Sequence, residues 1–143
     1  IWSVNPSASV LSIKAMDYSG SAIAEAIYTA MNRASVRIIN LSLTGGYDGS
    51  VDAAINAATA SGIIVVGAAG NDGIDASGTT PGGNHGAIIV GTADENGRIT
   101  AGSNYGDTVD YLVRCSSSSA AAAIISGYIS AYGIGGVEAA AGQ

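Results

Sequence analysis

Charged residues are scarce in this chain of 143 residues. Asp, Glu, Lys and Arg together make up 11% of it, against about 25% in an average globular protein. Apolar residues make up 48%, whereas a disordered chain combines low hydrophobicity with high charge. Five residues are basic and the net charge is −6, which leaves too few cations to neutralise a nucleic-acid backbone. These shortages exclude a disordered chain and a nucleic-acid-binding protein.

Cysteine and long apolar runs are also in short supply. A single cysteine, Cys115, excludes an internal disulfide and hence a disulfide scaffold. No apolar run approaches the roughly 18 residues that a membrane helix needs, so we expect no membrane span. The chain starts at Ile1 and not at Met, which suggests a mature form, a processed chain or a fragment.

Metal and cofactor motifs are missing as well. Asp72 and Asp75 supply two carboxylates, too few for the six to eight oxygens that calcium takes. The glycine-rich stretch 67–73 lacks the spacing and the following Lys of a nucleotide-binding loop. We therefore expect neither a metal nor a cofactor.

What the chain does contain is an alternation of apolar runs and amphipathic stretches, typical of a single α/β domain spanning residues 1–143. Strands are predicted at 9–16, 36–43, 63–66, 87–91 and 109–113, and helices at 20–34, 50–61 and 119–131. Such an order predicts a three-layer fold, a mostly parallel sheet with helices on both faces. Ser50 is the expected N-cap of the second helix and Gly62 its stop. Residues 133–143, mostly Gly and Ala, are expected to be a loosely ordered tail.

Three polar segments follow predicted strand ends or enter a helix: 42–46, 68–73 and the serine run 116–119. Open α/β sheets bind ligands at the carboxyl ends of their strands. Each segment taken alone is also ordinary turn or cap chemistry, so on these residues alone both interpretations stay open.

Six segments of the sequence, taken in their order along the chain, indicate a protein family. They are 5–14, 36–46, 58–71 (ATASGIIVVGAAGN), 80–81, 88–91 and 101–106 (AGSNYG). In this order they resemble the subtilases, the subtilisin-like serine peptidases. The resemblance implies part of a subtilisin-like fold, peptide-bond hydrolysis by acyl transfer, and an extended peptide or protein as substrate.

The resemblance also implies roles for individual residues. Asn71 would donate to the oxyanion, and Ser119 would stand at the nucleophile position, its backbone N–H being the second donor. The backbone of a bound substrate would lie along Ser42, Leu43, Thr44 and Gly45. The wall of a specificity pocket would be formed by Ala68, Ala69 and Gly70.

The chain departs from the family pattern near its end. In the family's Gly-Thr-Ser-Met-Ala-x-Pro-His motif, Ser117 replaces the Gly, Ala123 the Pro and Ile124 the His, and a small shift in register would put Ser117 or Ser118 at the nucleophile position. The family's Asp and His motifs lie upstream of the first residue here. The one histidine, His85, lies in a glycine-rich loop outside any family catalytic motif. We interpret His85 as an exposed loop residue and prefer this interpretation to a role as the base for Ser119.

Two functions of different classes follow. One is a subtilisin-like serine endopeptidase domain or chain that is inactive alone, with a separate N-terminal chain supplying Asp and His. The other is a pseudoprotease that serves as a peptide-binding, structural or assembly protein. The resemblance implies an extracellular or cell-envelope location.

Overall fold

A computed structural model describes the backbone of residues 1–141 and the side chains of residues 1–139. Within this part of the chain there are three helices: α1 (Gly20–Met31), α2 (Gly49–Ala60) and α3 (Ser118–Ala141). The strands are β1 (Ile38–Leu41), β2 (Gly45–Gly46), β3 (Ile64–Ala68), β4 (Thr79–Thr80), β5 (Ile88–Ala93) and β6 (Tyr111–Arg114).

Four of these strands form a parallel sheet in the order β1-β3-β5-β6. Alternate residues point to opposite faces, as the two-residue period of a strand requires. The residues that pack against α1 and α2 are Ile39, Leu41, Val65 and Ile89. Those that pack against α3 are Val66, Ala68 and Val90. The predicted three-layer α/β fold is confirmed.

The ends of the first two helices show why they begin and stop where they do. The Ser19 hydroxyl accepts a hydrogen bond from the Ala22 N–H and caps α1. For α2 the prediction of Ser50 as the N-cap is wrong, because the Asp48 carboxylate accepts from the Ser50 and Val51 N–H groups. Gly62 follows α2 with a φ of +83°, a conformation that favours glycine.

The predicted first strand, 9–16, is not a strand in the structure. Its backbone pairs with no strand among the described residues, and Val10 and Leu11 are exposed. An isolated strand leaves its N–H and C=O groups without partners, so an apolar pattern alone does not make one. Residues of the segment instead line a groove that residues of β1 also line.

α3 contains a break at Gly133, where φ is +72°. Residues 134–141, which fall in the predicted loosely ordered tail, are helical after this break, and Val137 is buried against the sheet. Residues 142–143 of that tail lie outside the described part.

The stretch Ser118–Ala139 is long and apolar enough to cross a membrane by length and composition. Its inner face, which includes Ala121, Ala122 and Ile125, packs on the sheet as a core helix does. Tyr128, Tyr132 and Ile134 of the same stretch are exposed.

Candidate functional site

The site predicted from sequence lies where the carboxyl ends of β1 and β3 meet the N-terminus of α3. Ser42 directly follows β1, and two reciprocal hydrogen bonds join it to Ser119. The Ser42 hydroxyl donates to the Ser119 carbonyl at 2.8 Å, and the Ser119 hydroxyl donates to the Ser42 carbonyl at 3.2 Å. Residues 77 positions apart in sequence are thereby brought together.

Asn71 lies at the same helix end. Its side-chain Oδ1 accepts a hydrogen bond of 2.8 Å from the Ser118 N–H. Because the N–H can only donate, this contact identifies Oδ1 and so turns the Nδ2 group the other way. The Asn71 side chain is therefore held by α3 with its donor end free.

Two donors at this point have no partner among residues 1–141. One is Asn71 Nδ2 and the other is the Ser119 N–H, which belongs to the unsatisfied first turn of α3. The N-terminus of a helix also carries partial positive charge, which favours an anion there. Both groups are donors of the kind that bind a negatively charged oxygen.

The three serines that enter α3 differ in their contacts. Ser117 is the N-cap, since its hydroxyl accepts from the Ala120 N–H at 3.3 Å. Ser118 is fully buried and its hydroxyl accepts from the Gly70 N–H at 3.2 Å. Ser119 is partly exposed. Ser117 is partly exposed as well, but its hydroxyl serves as the helix cap, whereas the Ser119 hydroxyl lies beside Ser42 at the candidate site.

A buried asparagine that the sequence analysis did not single out holds the loop that carries Asn71. Asn104 has no exposed surface, its Oδ1 accepts from the Asp72 and Ile74 N–H groups, and its Nδ2 donates to the Ala69 carbonyl. The signal was present in the quoted segment AGSNYG, but nothing in the sequence shows which loop Asn104 contacts.

Glycine and a capping acid shape the rest of this loop. Gly70 has a φ of +110°, and a side chain there would overlap the Asn104 amide. Further along, Asp75 accepts from the Ser77 N–H at 2.8 Å. Hydrogen bonds from Ser77 lower the pKa of the Asp75 carboxyl below its ordinary value.

The predicted substrate-binding residues fall into two groups in the structure. Ser42, Thr44 and Gly45 are exposed and Leu43 is half-buried, and the Thr44 hydroxyl adjoins Gly70. By contrast, Ala68, Ala69 and Gly70 are buried, and the two alanine side chains belong to the two core clusters.

His85 lies away from this site. It is exposed and precedes β5, next to Asn84, whose Nδ2 donates to Asp52 and Asn56 on α2. It therefore lies towards the amino ends of the strands on the α2 face, whereas Ser119 begins α3 on the other face. Among residues 1–141 no imidazole or carboxylate hydrogen-bonds to Ser119.

No group of three or more His, Cys, Asp or Glu residues that could hold a metal ion occurs within the described part of the chain.

The chain resembles known proteins over most of its length. A sequence profile of the subtilase family matches residues 2–132. Subtilisin-like protease 1 of Pseudogymnoascus destructans is 30% identical in an alignment of 115 residues that covers 76% of this chain and 29% of that protein. Alkaline serine protease ver112 of Corniculantispora psalliotae is 34% identical in an alignment of 119 residues that also covers 76% of this chain and covers 31% of that protein.

A solved structure with a similar fold leads to the same family. The crystal structure of a cold-adapted subtilisin-like serine proteinase matches with a TM-score of 0.75 and 25% identity, over 80% of this chain and 48% of that chain. The present chain thus spans about half of this structural neighbour and less than a third of the curated relatives named above. Because the profile match runs through nearly the whole sequence and the fold agrees, the chain belongs to the subtilase family.

Proposed function

We propose that this chain is the oxyanion-binding and substrate-binding part of a subtilisin-like serine endopeptidase. The observation that carries the proposal is the pair of unpartnered donors, Asn71 Nδ2 and the Ser119 N–H, beside the accessible Ser119 hydroxyl. Two preorganised donors are what a tetrahedral oxyanion requires.

In the proposed reaction, each of these groups has a defined role. The Ser119 Oγ attacks the scissile carbonyl carbon, its proton passes to a base, and the carbonyl oxygen becomes an oxyanion held by the two donors. Collapse of the intermediate expels the amine, which takes the proton back from the base, and water then releases the acyl group by the same sequence. In the free chain the Ser119 hydroxyl donates to the Ser42 carbonyl, so it must turn from that carbonyl to a base before it can react.

The base and the carboxylate that orients it come from outside residues 1–143 in this proposal. A helix N-terminus favours an anion by only about 0.3–1 kcal/mol in exposed settings. That is less than one unit of hydroxyl pKa, and it does not replace a general base, which contributes about 10²–10⁴-fold. The partner is therefore a polypeptide that supplies Asp and His, and the chain alone is inactive.

The substrate is an extended peptide or protein. The segment 42–45 is exposed except at half-buried Leu43, and we assign to it the backbone groups that an added strand would use. Gly45 and Gly46 already pair with Thr80 and Thr79, and they leave open space in which a peptide backbone can approach. Ala68 and Ala69 contribute their backbone, since their side chains are buried. We place the active assembly outside the cell or in the cell envelope, as the resemblance to the subtilase family implies.

A pseudoprotease is the second candidate, and one observation favours it. The reciprocal hydrogen bonds between Ser42 and Ser119 tie the candidate nucleophile to the backbone that would bind substrate. In such a protein the same groove would bind a peptide without cleaving it, in a structural or assembly role.

Labelling with a fluorophosphonate probe separates the two. The complementing fragment is the part of Subtilisin-like protease 1 of Pseudogymnoascus destructans that precedes its match to this chain. We expect no labelling of the chain alone, and labelling of Ser119 once the fragment is added. Ser119→Ala should abolish labelling, the matched control Ser116→Ala should retain it, and Asn71→Ala should slow it by about 10²–10³, a magnitude measured in a subtilisin.

Two results would contradict the proposal. If the fragment binds and no serine is labelled, the chain is a pseudoprotease. If the chain alone is labelled, and both Ser119→Ala and His85→Ala abolish the label, His85 acts as the base and the chain is a complete hydrolase.

A further inference from the structure

A line of hydrogen bonds runs from the middle of α3 to the candidate site. The Ser126 hydroxyl donates to Asn40 Oδ1 at 3.0 Å, and Asn40 Nδ2 donates to the Ser42 hydroxyl at 2.9 Å. The Ser42 hydroxyl in turn donates to the Ser119 carbonyl at 2.8 Å. We call these four residues the hydrogen-bond relay. It connects the sheet and the middle of the helix to the residue at the nucleophile position.

The donors and acceptors of the relay all point in one direction. An amide oxygen only accepts and an amide N–H only donates, so Asn40 accepts from Ser126 and donates to Ser42. The Ser42 hydroxyl carries a single proton. Because its oxygen accepts from Asn40, that proton is directed at the Ser119 carbonyl. The orientation of the Ser42 hydroxyl therefore depends on the two residues that precede it in the relay.

The relay passes through an apolar layer between α3 and the sheet. Ser126 is only 2% exposed, and its helix neighbours Ile125 and Ile129 belong to the hydrophobic core. Asn40 faces α3, because the residues on either side of it in β1 pack on the opposite face of the sheet. A polar group in such a place is stable only when it is hydrogen-bonded. Ser126 and Asn40 meet this requirement by bonding to each other.

Ser126 is too far from the candidate site to act on it directly. It lies seven residues after Ser119 in α3, which corresponds to about 10 Å along a helix with a rise of about 1.5 Å per residue. Any effect of the Ser126 hydroxyl on Ser119 is therefore transmitted through Asn40 and Ser42.

The proposed reaction breaks one of the two hydrogen bonds between Ser42 and Ser119 and keeps the other. The Ser119 hydroxyl must leave the Ser42 carbonyl to reach a base. The bond from the Ser42 hydroxyl to the Ser119 carbonyl includes no reacting atom, so it can persist throughout the reaction. Of the two, it is the one that holds the backbone of the nucleophile against the segment assigned to the substrate.

We propose that Ser126 and Asn40 are positioning residues, which hold the Ser42 hydroxyl on the Ser119 carbonyl and so fix the spacing between the nucleophile and the bound peptide. The inference rests on the proposed function, because it assigns two further residues to the same site. In this role neither side chain touches the substrate or the oxyanion. Their loss therefore slows acylation of Ser119 and leaves the binding of substrate unchanged.

Labelling kinetics of the chain with the fragment of Subtilisin-like protease 1 test this role. Ser126→Ala should lower the maximal rate of fluorophosphonate labelling by about three- to tenfold, the effect of one hydrogen bond on a rate. The probe concentration that gives half of the maximal rate should not change. Ser130→Ala is the matched control on the same helix, because the Ser130 hydroxyl donates to the Gly127 carbonyl and lies outside the relay. It should leave both values unchanged.

A double-mutant cycle separates the relay from a general loss of packing. Ser42→Ala removes the last hydroxyl of the relay and should slow labelling by about the same factor as Ser126→Ala. The double variant should be no slower than Ser42→Ala alone, because residues that act through one another have non-additive effects. Asn40→Ala interrupts the relay in the middle and should match the single variants.

The relay can also be measured in the chain alone. A carbonyl carbon that loses a hydrogen bond changes its NMR chemical shift. The Ser119 carbonyl signal should therefore move in the same direction in Ser42→Ala, Asn40→Ala and Ser126→Ala. It should stay in place in Ser130→Ala.

Three results would overturn the proposal. They are additive losses in the double variant, a Ser126→Ala effect confined to the half-maximal probe concentration, and an unshifted Ser119 carbonyl signal in Ser126→Ala and Asn40→Ala. If the unmodified chain is not labelled when the fragment is present, the proposed peptidase function fails. The Ser119 carbonyl signal then still decides whether Ser126 and Asn40 hold the Ser42 hydroxyl in place.

Discussion

Neighbouring serines at the start of α3 have separate physical roles. Ser118 is buried and links the helix to the Gly70 N–H, while Ser119 is partly exposed and contacts the Ser42 carbonyl. The two side chains differ because successive residues of a helix point in directions about 100° apart. Position in the serine run therefore decides between a buried hydroxyl and a partly exposed one.

Ser118→Ala should destabilise the protein, because it leaves the Gly70 N–H buried without an acceptor. The expected loss is about 1–3 kcal/mol in the free energy of unfolding. Ser119→Ala is the matched control and should change stability by less than about 0.5 kcal/mol, since its hydroxyl lies at the surface. Urea denaturation followed by circular dichroism measures both, and equal losses would contradict the assignment.

Asn104→Ala should be more damaging, because Asn104 satisfies three backbone groups of the loop that carries Asn71. Each unsatisfied buried group costs about 1–3 kcal/mol, so we expect a loss of at least about 2 kcal/mol in the free energy of unfolding. Asn96→Ala, an exposed asparagine, serves as the control and should be nearly neutral. A neutral Asn104→Ala would show that the loop does not depend on this side chain.

At the scale of elements, the helices depend on caps and the strands depend on partners. Asp48 caps α2 from two residues before the position the sequence favours. The 9–16 segment has a strand pattern and no partner, and it forms no strand. A cap is a local contact, whereas a strand requires a neighbour that the local sequence does not supply.

Asp48→Ala should destabilise α2 and with it the domain by about 0.5–2 kcal/mol, the usual cost of losing an N-cap. Ser50→Ala should be close to neutral, because Ser50 contributes its N–H and not its hydroxyl to the cap. The midpoint of thermal unfolding compares the two variants. A larger loss in Ser50→Ala would restore Ser50 as the cap.

At the scale of the whole molecule, the last helical segment returns to the sheet. Val137 joins the core on the α3 face, and Glu138 lies close enough to act on Tyr111 of β6. Burial raises the pKa of the Tyr111 phenol above its ordinary value, and the nearby charges of Glu138 and Asp110 raise it further. The segment and the edge strand are thereby electrostatically coupled.

This coupling predicts a loss of stability in alkaline solution. Because the folded pKa of Tyr111 lies above the unfolded value, its contribution is fully present below about pH 10 and is lost as the pH rises through the folded pKa. Tyr111→Phe should flatten the fall of the unfolding midpoint above pH 10, and Glu138→Gln should flatten it in part. The control Glu95→Gln removes a carboxylate from an exposed loop and should leave the slope unchanged.

Much of the architecture could be predicted from periodicity. The three helices begin within one residue of their predicted starts, and the strands of the parallel sheet fall within the predicted apolar runs or within two residues of them. These features follow from short-range patterns, since a 3.6-residue or two-residue period is visible inside each segment. The ordered motifs indicated the family, which the profile match and the fold show.

The sequence by itself determined the fold class, the family and the segments that form the candidate site. Tertiary structure alone decided that Ser118 and not Ser119 is buried, that Asn104 holds the loop of Asn71, and that His85 lies away from Ser119. It also decided that residues 9–16 form no strand with any part of the chain that the structure describes. The physical reason is that periodicity and capping act over a few residues, whereas these contacts join residues tens of positions apart in the sequence.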